Sequence, residues 1–285
     1  MGHIVWVASY PKSGNTWVRA FIYNLLVQPA KPAPLSELSR FFQGETKPRW
    51  YLPHAAGKNL AELEATEIFS MRRQVHHDIA QYSANTVFAK SHSPFGSYNG
   101  YPLQNTLVMS GAVYIMRNPL DVVLSVSDHF GLGIDESISF LANEQNGTPT
   151  SDSNVADFLG SWSNHVSTWT QKPQPQLVIL KYEDLLDRPR KGFAAVARLL
   201  GFGSDSRRIH RAVEFSAFRQ LKRLETRSGF SERSPHSRCF FRKGSKHQWA
   251  NALSDDQIAR VVDDHREQMQ RFNYIPPRYR KSLSA

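Results

Sequence analysis

The sequence predicts an α/β fold: a single domain with a mainly parallel sheet flanked by helices. Three observations carry this. Short apolar runs alternate with segments of helical periodicity. Each run ends in a polar loop, as parallel strands do where ligands sit at their carboxyl ends. No linker or internal repeat divides the 285 residues, a length that builds one sizeable core.

Residues 4–8 are an apolar run that closes on a turn containing Pro11 and Gly14. Residues 16–26 then read as helix, broken by Pro29, Pro32 and Pro34. A long irregular stretch follows, and residues 61–77 form the next helix candidate. Strand candidates come at 86–90, at 112–116 and at 177–180. The 112–116 run leads into Arg117-Asn118-Pro119 and a helix from about Leu120. Further helices are expected at 155–170 and at 191–200, the latter closed by Gly201. Residues 143–154, rich in Asn, Gly, Ser, Thr and Pro, read as a mobile surface loop. Ser254 with Gln257 three residues on marks the start of a last helix running to about Phe272, before Pro276-Pro277.

The formal net charge is +10 and the sequence pI about 9.8, so the expected partner is anionic. Nucleic acid, an acidic membrane surface and a multiply phosphorylated small molecule all fit. No helix-turn-helix, zinc-finger or RNA-recognition signature is present, so no nucleic-acid partner is expected. The longest apolar runs fall far short of the ~20 residues that span a bilayer, so no membrane insertion is expected. A lone Cys239 cannot close an internal disulfide. Met1-Gly2-His3 carries no basic leader, and the expected location is cytoplasmic.

The most informative segment is Tyr10-Pro11-Lys12-Ser13-Gly14-Asn15-Thr16-Trp17. Strand, tight polar turn and helix N-terminus together make an anion cradle, in which backbone N–H groups, the helix dipole and a lysine converge. The common nucleoside-triphosphate loop has its lysine directly after a glycine. Here Lys12 precedes Gly14 by two, and that motif fails. A lysine in an ordinary strand-to-helix turn is the plainer alternative.

The segment resembles the 5′-phosphosulfate-binding loop of the cytosolic-type sulfotransferases, which use 3′-phosphoadenosine 5′-phosphosulfate (PAPS). Asn15 stands where threonine is usual. Arg117, followed eight residues later by Ser125, is similar to the family's second signature. Phe241-Arg242-Lys243-Gly244, with Trp249 just beyond, is similar to the third. Lys90-Ser91-His92-Ser93-Pro94 resembles the family's Lys-Thr-His segment, and Tyr182-Glu183-Asp184-Leu185 resembles a fifth. All five occur in family order. The resemblance implies a P-loop-like donor loop after the first strand and PAPS as co-substrate, with adenosine 3′,5′-bisphosphate (PAP) as product. It also implies no metal and transfer to a hydroxyl or amine of a small-molecule acceptor. The wording of the first loop looks most like bacterial members that modify natural products.

The resemblance assigns roles residue by residue. Lys12 and the backbone of Ser13, Gly14, Asn15 and Thr16 would hold the phosphosulfate. Arg117, Ser125, Arg242, Lys243 and Gly244 would hold the 3′-phosphate, using guanidinium forks and a hydroxyl. Trp17, Ser216 and Phe218 would contact adenine, and Tyr182 would line the donor site. His92 would be the general base, since a neutral imidazole with a pKa near ~6.5 suits proton removal at pH 7. Lys12 would stabilise the leaving phosphate and Lys90 the sulfuryl oxygens.

Blander readings stand beside these. Arg117 could pair with Asp121, Arg242-Lys243 could be a solvated pair, and Trp17, Ser216 and Phe218 could be core. His76, His77, His129 and His165 are given structural roles. Phe41, Phe42, Trp50, Tyr51, Phe95, Tyr98 and Tyr101 are candidates to wall an acceptor pocket from residues 28–60 and 95–110, or to be satellite core. Residues 227–248 are expected to form a lid over the donor. The family's dimerisation pattern is not recognisable at 246–257, which leaves the oligomeric state open. Two rival functions are a magnesium-dependent phosphotransferase, with Asp184 as ligand, and a non-catalytic nucleotide- or nucleic-acid-binding module.

Overall fold

The structure is a computed structural model that describes residues 3–171 and 176–280. Met1, Gly2 and the last five residues of the expected 1–285 domain lie outside the described residues.

Five strands form one parallel sheet: β1 (Ile4–Ala8), β2 (Phe42–Gly44), β3 (Val87–Ser91), β4 (Met109–Met116) and β5 (Leu177–Lys181). Their order is β2-β3-β1-β4-β5. β1 is central: Ile4 pairs with Val87 on one side and Met109 on the other. All five residues of β1 are buried because helices cover both faces. The side chains alternate accordingly. Ile4, Trp6 and Ala8 enter one core; Val5 and Val7 enter the other.

The helices longer than one turn in the first half of the chain are α1 (Asn15–Val27), α2 (Leu35–Phe41), α3 (Ala65–Gln81), α4 (Pro119–Phe130) and α5 (Ile134–Ala142). The second half adds α6 (Trp162–Thr170), α7 (Tyr182–Asp187), α8 (Pro189–Leu199), α9 (Ser206–Phe215), α10 (Phe218–Ser228) and α11 (Asp255–Arg271). α3 to α6 and α11 bury their apolar stripes on the Trp6 side; α1, α2 and α7 to α10 bury theirs on the Val7 side. The result is the three-layer α/β arrangement expected.

Local chemistry places the ends that matter. Asn118 caps α4 by accepting the Leu120 N–H, with Pro119 at the first helical position. α11 starts on the reciprocal Ser254–Gln257 cap, as expected. The expected 155–170 helix begins only at Trp162, where the Ser161 hydroxyl accepts the Asn164 N–H. Upstream of it, Gly147–Thr148 pairs antiparallel with Asp157–Phe158, which folds much of the 143–154 loop back on itself. α2 and β2 lie inside residues 28–60, which the prolines had marked as irregular. Among the described residues, no helix is long and apolar enough to cross a membrane.

Candidate active site

A cavity of about 860 Å³ opens where β1, β3 and β4 end in Lys12, His92 and Arg117. The turn after β1 is held in left-handed backbone at two points, with φ of 66° at Lys12 and 110° at Gly14. A Cβ at Gly14 would sit 2.8 Å from the Tyr182 ring and 2.9 Å from Ile115, so only glycine fits. Asn15 then ties the start of α1 to β1 through Nδ2–H donated to the Val7 carbonyl at 2.9 Å. Lys12 at φ 66° is the strained residue of the loop, a cost of ~1–3 kcal/mol that the surrounding packing sustains.

That conformation puts Lys12 Nζ in the cavity, 3.3 Å from His129 Nδ1 and 4.2 Å from the Phe240 ring centre. Burial, with Lys90 nearby, lowers the ammonium pKa to about 8. Burial, with Lys12 nearby, lowers His129 to about 4. Lys12 therefore donates to a neutral imidazole.

His92 has one ring nitrogen committed. Nδ1–H donates to the Ser9 carbonyl at 2.8 Å, so Nε2 carries the lone pair. Burial and the charge of Lys90 hold its pKa well below the usual 6.5. His165 braces it from behind, donating Nε2–H to the His92 carbonyl at 3.0 Å while Tyr114 donates its hydroxyl to His165 Nδ1 at 3.0 Å. His92 is thus a neutral, oriented acceptor that lines the cavity.

At the other end, the Arg117 guanidinium lies over the Tyr182 ring at 4.6 Å and meets the Lys12 and Ser245 carbonyls, both at 3.4 Å. Asp121 does not pair with it: its carboxylate accepts the N–H groups of His247 and Trp249. Ser125, Arg242, Lys243 and Gly244 line the same cavity, Arg242 reaching only the Leu124 carbonyl at 3.4 Å. Trp17, Tyr182 and Phe218 add the aromatic wall, Trp17 edge-on to Tyr182 and Phe193.

Several expected site residues are elsewhere. Ser216 is fully buried at the end of α9, where its hydroxyl donates to the Ala212 carbonyl at 2.8 Å. Ser13 is fully buried as well and outside the cavity wall, its backbone N–H donating to the Tyr10 carbonyl at 3.3 Å. Phe41 is committed to Tyr23, Phe42 and Phe88, and Trp50 to Tyr82. Tyr98 stacks on Phe158 at 4.1 Å and lines a separate cavity of about 340 Å³, with others of the 95–110 segment. Of the aromatic candidates for the acceptor wall, Phe42 alone reaches the main cavity. Asp184 is exposed and outside it.

The structure also brings in His129, which the sequence analysis gave a structural role, and residues the sequence did not single out. His129 lies four residues beyond Ser125, one turn along the same face of α4, and that spacing was a usable signal. Glu232, from the 227–248 segment, takes a bidentate hydrogen bond from Arg19, both at 2.8 Å, and another from Lys90 at 3.0 Å. Thr46, Lys47, Arg49, Ser151, Asp152 and Asn154 line the cavity from two segments joined by Thr46 Oγ1 donating to Asn154 Oδ1 at 3.1 Å. Among the described residues, no group of three or more side chains is arranged to hold a metal ion.

The chain belongs to the sulfotransferase-domain family, whose model matches residues 3–273. It is 28% identical over 272 residues to cytosolic sulfotransferase 15 of Arabidopsis thaliana, covering 90% of this chain and 70% of that protein. It is 25% identical over 274 residues to flavonol 3-sulfotransferase of Flaveria bidentis, covering 90% and 78%. Among solved structures, retinol dehydratase in complex with androsterone and inactive cofactor PAP matches with a TM-score of 0.65 at 18% identity, over 94% of this chain and 80% of that one. Mouse sulfotransferase SULT7A1 complexed with PAP matches with a TM-score of 0.57 at 17% identity, over 93% and 84%. The family defines a PAPS-dependent enzyme that transfers sulfuryl groups, on the α/β fold described above.

Proposed function

We propose that the chain moves a sulfuryl group from PAPS to a hydroxyl of a polar small-molecule or natural-product acceptor in the cytoplasm, by in-line displacement with His92 as general base. One observation carries the base assignment: Nδ1 of His92 is tied to the Ser9 carbonyl, which leaves a neutral Nε2 to take the acceptor proton.

The residues present fit the donor. Lys12 and the strained loop end at a helix N-terminus, while Arg117 and Arg242 make only long contacts to carbonyls. Both arrangements suit anions. When bound, PAPS supplies the sulfuryl group as an anhydride with its 5′-phosphate. Lys12 would meet the charge that grows on that phosphate as the bond breaks, and Lys90 the sulfuryl oxygens. His92 would take the proton as the acceptor oxygen attacks. Arg117, Ser125, Arg242 and Lys243 would fix the 3′-phosphate, with Trp17 and Phe218 against adenine. The 227–248 segment would close over the donor as part of a single catalytic domain.

The acceptor side supports a polar molecule. Thr46, Lys47, Arg49, Ser151, Asp152 and Asn154 give the cavity hydrogen-bonding groups beside the apolar Phe42, Phe130 and Leu159. Hydroxyl-bearing acceptors match hydrogen-bonding walls of this kind; an amine acceptor stands second.

A thermal-shift titration tests the reading, with PAP against AMP, ATP and ATP–magnesium. A ligand at ~100 times its Kd adds ~2.7 kcal/mol of stability. Selective stabilisation by PAP without metal is expected. Stabilisation by ATP–magnesium alone would transfer the site to a phosphotransferase.

A further inference from the structure

The cavity contains one feature that the donor reading leaves unused. Glu232, in the 227–248 segment, projects a carboxylate against Lys90, one of the two lysines that would face the transferring group. The carboxylate is not a loose surface group. Arg19, only 1% exposed, grips both of its oxygens, through Nη1 to Oε1 and Nη2 to Oε2, each at 2.8 Å. Arg19 is itself oriented by the donor loop, since Nη2 also donates to the Thr16 hydroxyl at 3.0 Å. The chain of contacts runs from the donor loop through Arg19 and Glu232 to Lys90 Nζ at 3.0 Å.

We propose that Arg19 and Glu232 are positioning residues for Lys90. Arg19 anchors the carboxylate of the overlying segment, and the carboxylate aims the Lys90 ammonium and keeps it charged. Lys90 is then ready for a sulfuryl group only when the 227–248 segment is seated. This proposal rests on the PAPS-site reading above.

The electrostatics make the charge-keeping role necessary. Burial works to strip the proton from Lys90, and Arg19 and Lys47 push the same way; Glu232 opposes them. Lys12, His92 and His129 also feel the Lys90 charge, but both imidazoles are held neutral and the third is another cation. Glu232 is thus the compensating carboxylate that touches Lys90. Arg19 and Lys90 in turn draw its own pKa far below the usual carboxylate range, so it stays charged at every working pH.

Calorimetric binding of PAPS and of PAP, from pH 6 to 9.5, tests the proposal without an acceptor. The ratio of the two affinities isolates the contact to the sulfuryl group, which only PAPS carries. In Glu232→Gln, PAP affinity is expected within ~3-fold of wild type. The PAPS-to-PAP ratio is expected to start falling about one pH unit lower than in wild type, because an opposite charge within hydrogen-bond reach shifts a pKa by ~1–3 units. At pH 6 the ratio in the variant should equal or exceed that of wild type, since a carboxylate no longer repels the sulfuryl oxygens. Glu232→Asp, which retains the charge, should restore the wild-type curve.

Superimposable curves for wild type and Glu232→Gln would overturn the proposal. Equal loss of PAP and PAPS at all pH values would also overturn it, by reducing Glu232 to a structural strut. Failure of wild type to bind PAP would instead remove the donor-site reading, a distinct result.

Discussion

Lys12 and His129 stand 3.3 Å apart although 117 positions separate them in sequence. The pair joins the strained loop after β1 to the far end of α4. It also sets the protonation state of the loop, because a buried lysine near pKa 8 meets an imidazole near pKa 4.

The first prediction concerns pH and rate. The proposed mechanism requires Lys12 protonated and His92 neutral. The kcat/KM for donor should therefore decline above about pH 8, where Lys12 gives up its proton. The acid limb should lie below 6.5, where burial has moved His92. Lys12→Arg should carry the basic limb beyond pH 9.5. A basic limb that stays near 8 in that variant would assign the limb to another group.

His92→Ala should lower turnover by ~10²–10⁴-fold, the range of a general base. PAP affinity should change little, since the ring faces the acceptor in this reading. A variant that still turns over at near wild-type rate would retire the base assignment.

Arg117→Ala is expected to weaken PAP by ~10-fold or more, corresponding to a charged hydrogen bond of ~1.5–3 kcal/mol. It should leave AMP binding nearly unchanged. Comparable losses for the two nucleotides would move Arg117 away from the 3′-phosphate.

Gly14→Ala should lose ~1–3 kcal/mol of stability from left-handed backbone alone. The added methyl also meets Tyr182 and Ile115, so PAP binding should fall with the melting temperature. A variant with wild-type melting temperature and PAP affinity would show that the turn relaxes freely.

Stability should fall on the acid side for a definite reason. His165 and His265 are buried with pKa values lowered to about 3 and about 4. In the unfolded chain both titrate near ~6.5. Their contribution is complete above that pH and is lost as pH drops toward 4, at ~1.4 kcal/mol per unit for each. Melting temperatures from pH 7.5 to 4.5 read this directly. A flat profile over that range would contradict the depressed values.

How far the sequence reached follows from what each feature depends on. β1, β3 and β4 were legible because a central parallel strand, apolar on both faces, reads as an unbroken run, and the edge strand β5 because its Leu177–Leu180 core is continuously aliphatic. β2 was not: it is three residues long, at the sheet edge, just past a proline-rich stretch. Helices α9 and α10, dense in arginine, hide their narrow apolar stripes of Ile209, Ala212 and Leu221 among charges. That Lys12, His92, Arg117 and Arg242 meet at one cavity was readable because they sit in short contiguous motifs, most at strand ends. The Arg19–Glu232 contact spans 213 positions, and no local pattern announces it. The aromatic candidates were harder to place for a related reason: composition cannot tell one cavity from another or from packing, and Trp50 packs on Tyr82 while Tyr98 lines the separate smaller cavity.

The central place of β1 has a consequence for how the protein is made. It leaves the ribosome well before its two neighbours, residues 87–91 and 109–116. At ~5–20 residues per second, β1 waits on the order of 5–20 s as a bare apolar segment. The nucleotide cradle that follows β1 cannot be completed during that interval. Because Tyr182 and residues 242–244 also wall the cavity, no ligand of that cavity can stabilise the fold until nearly all of these residues have been made.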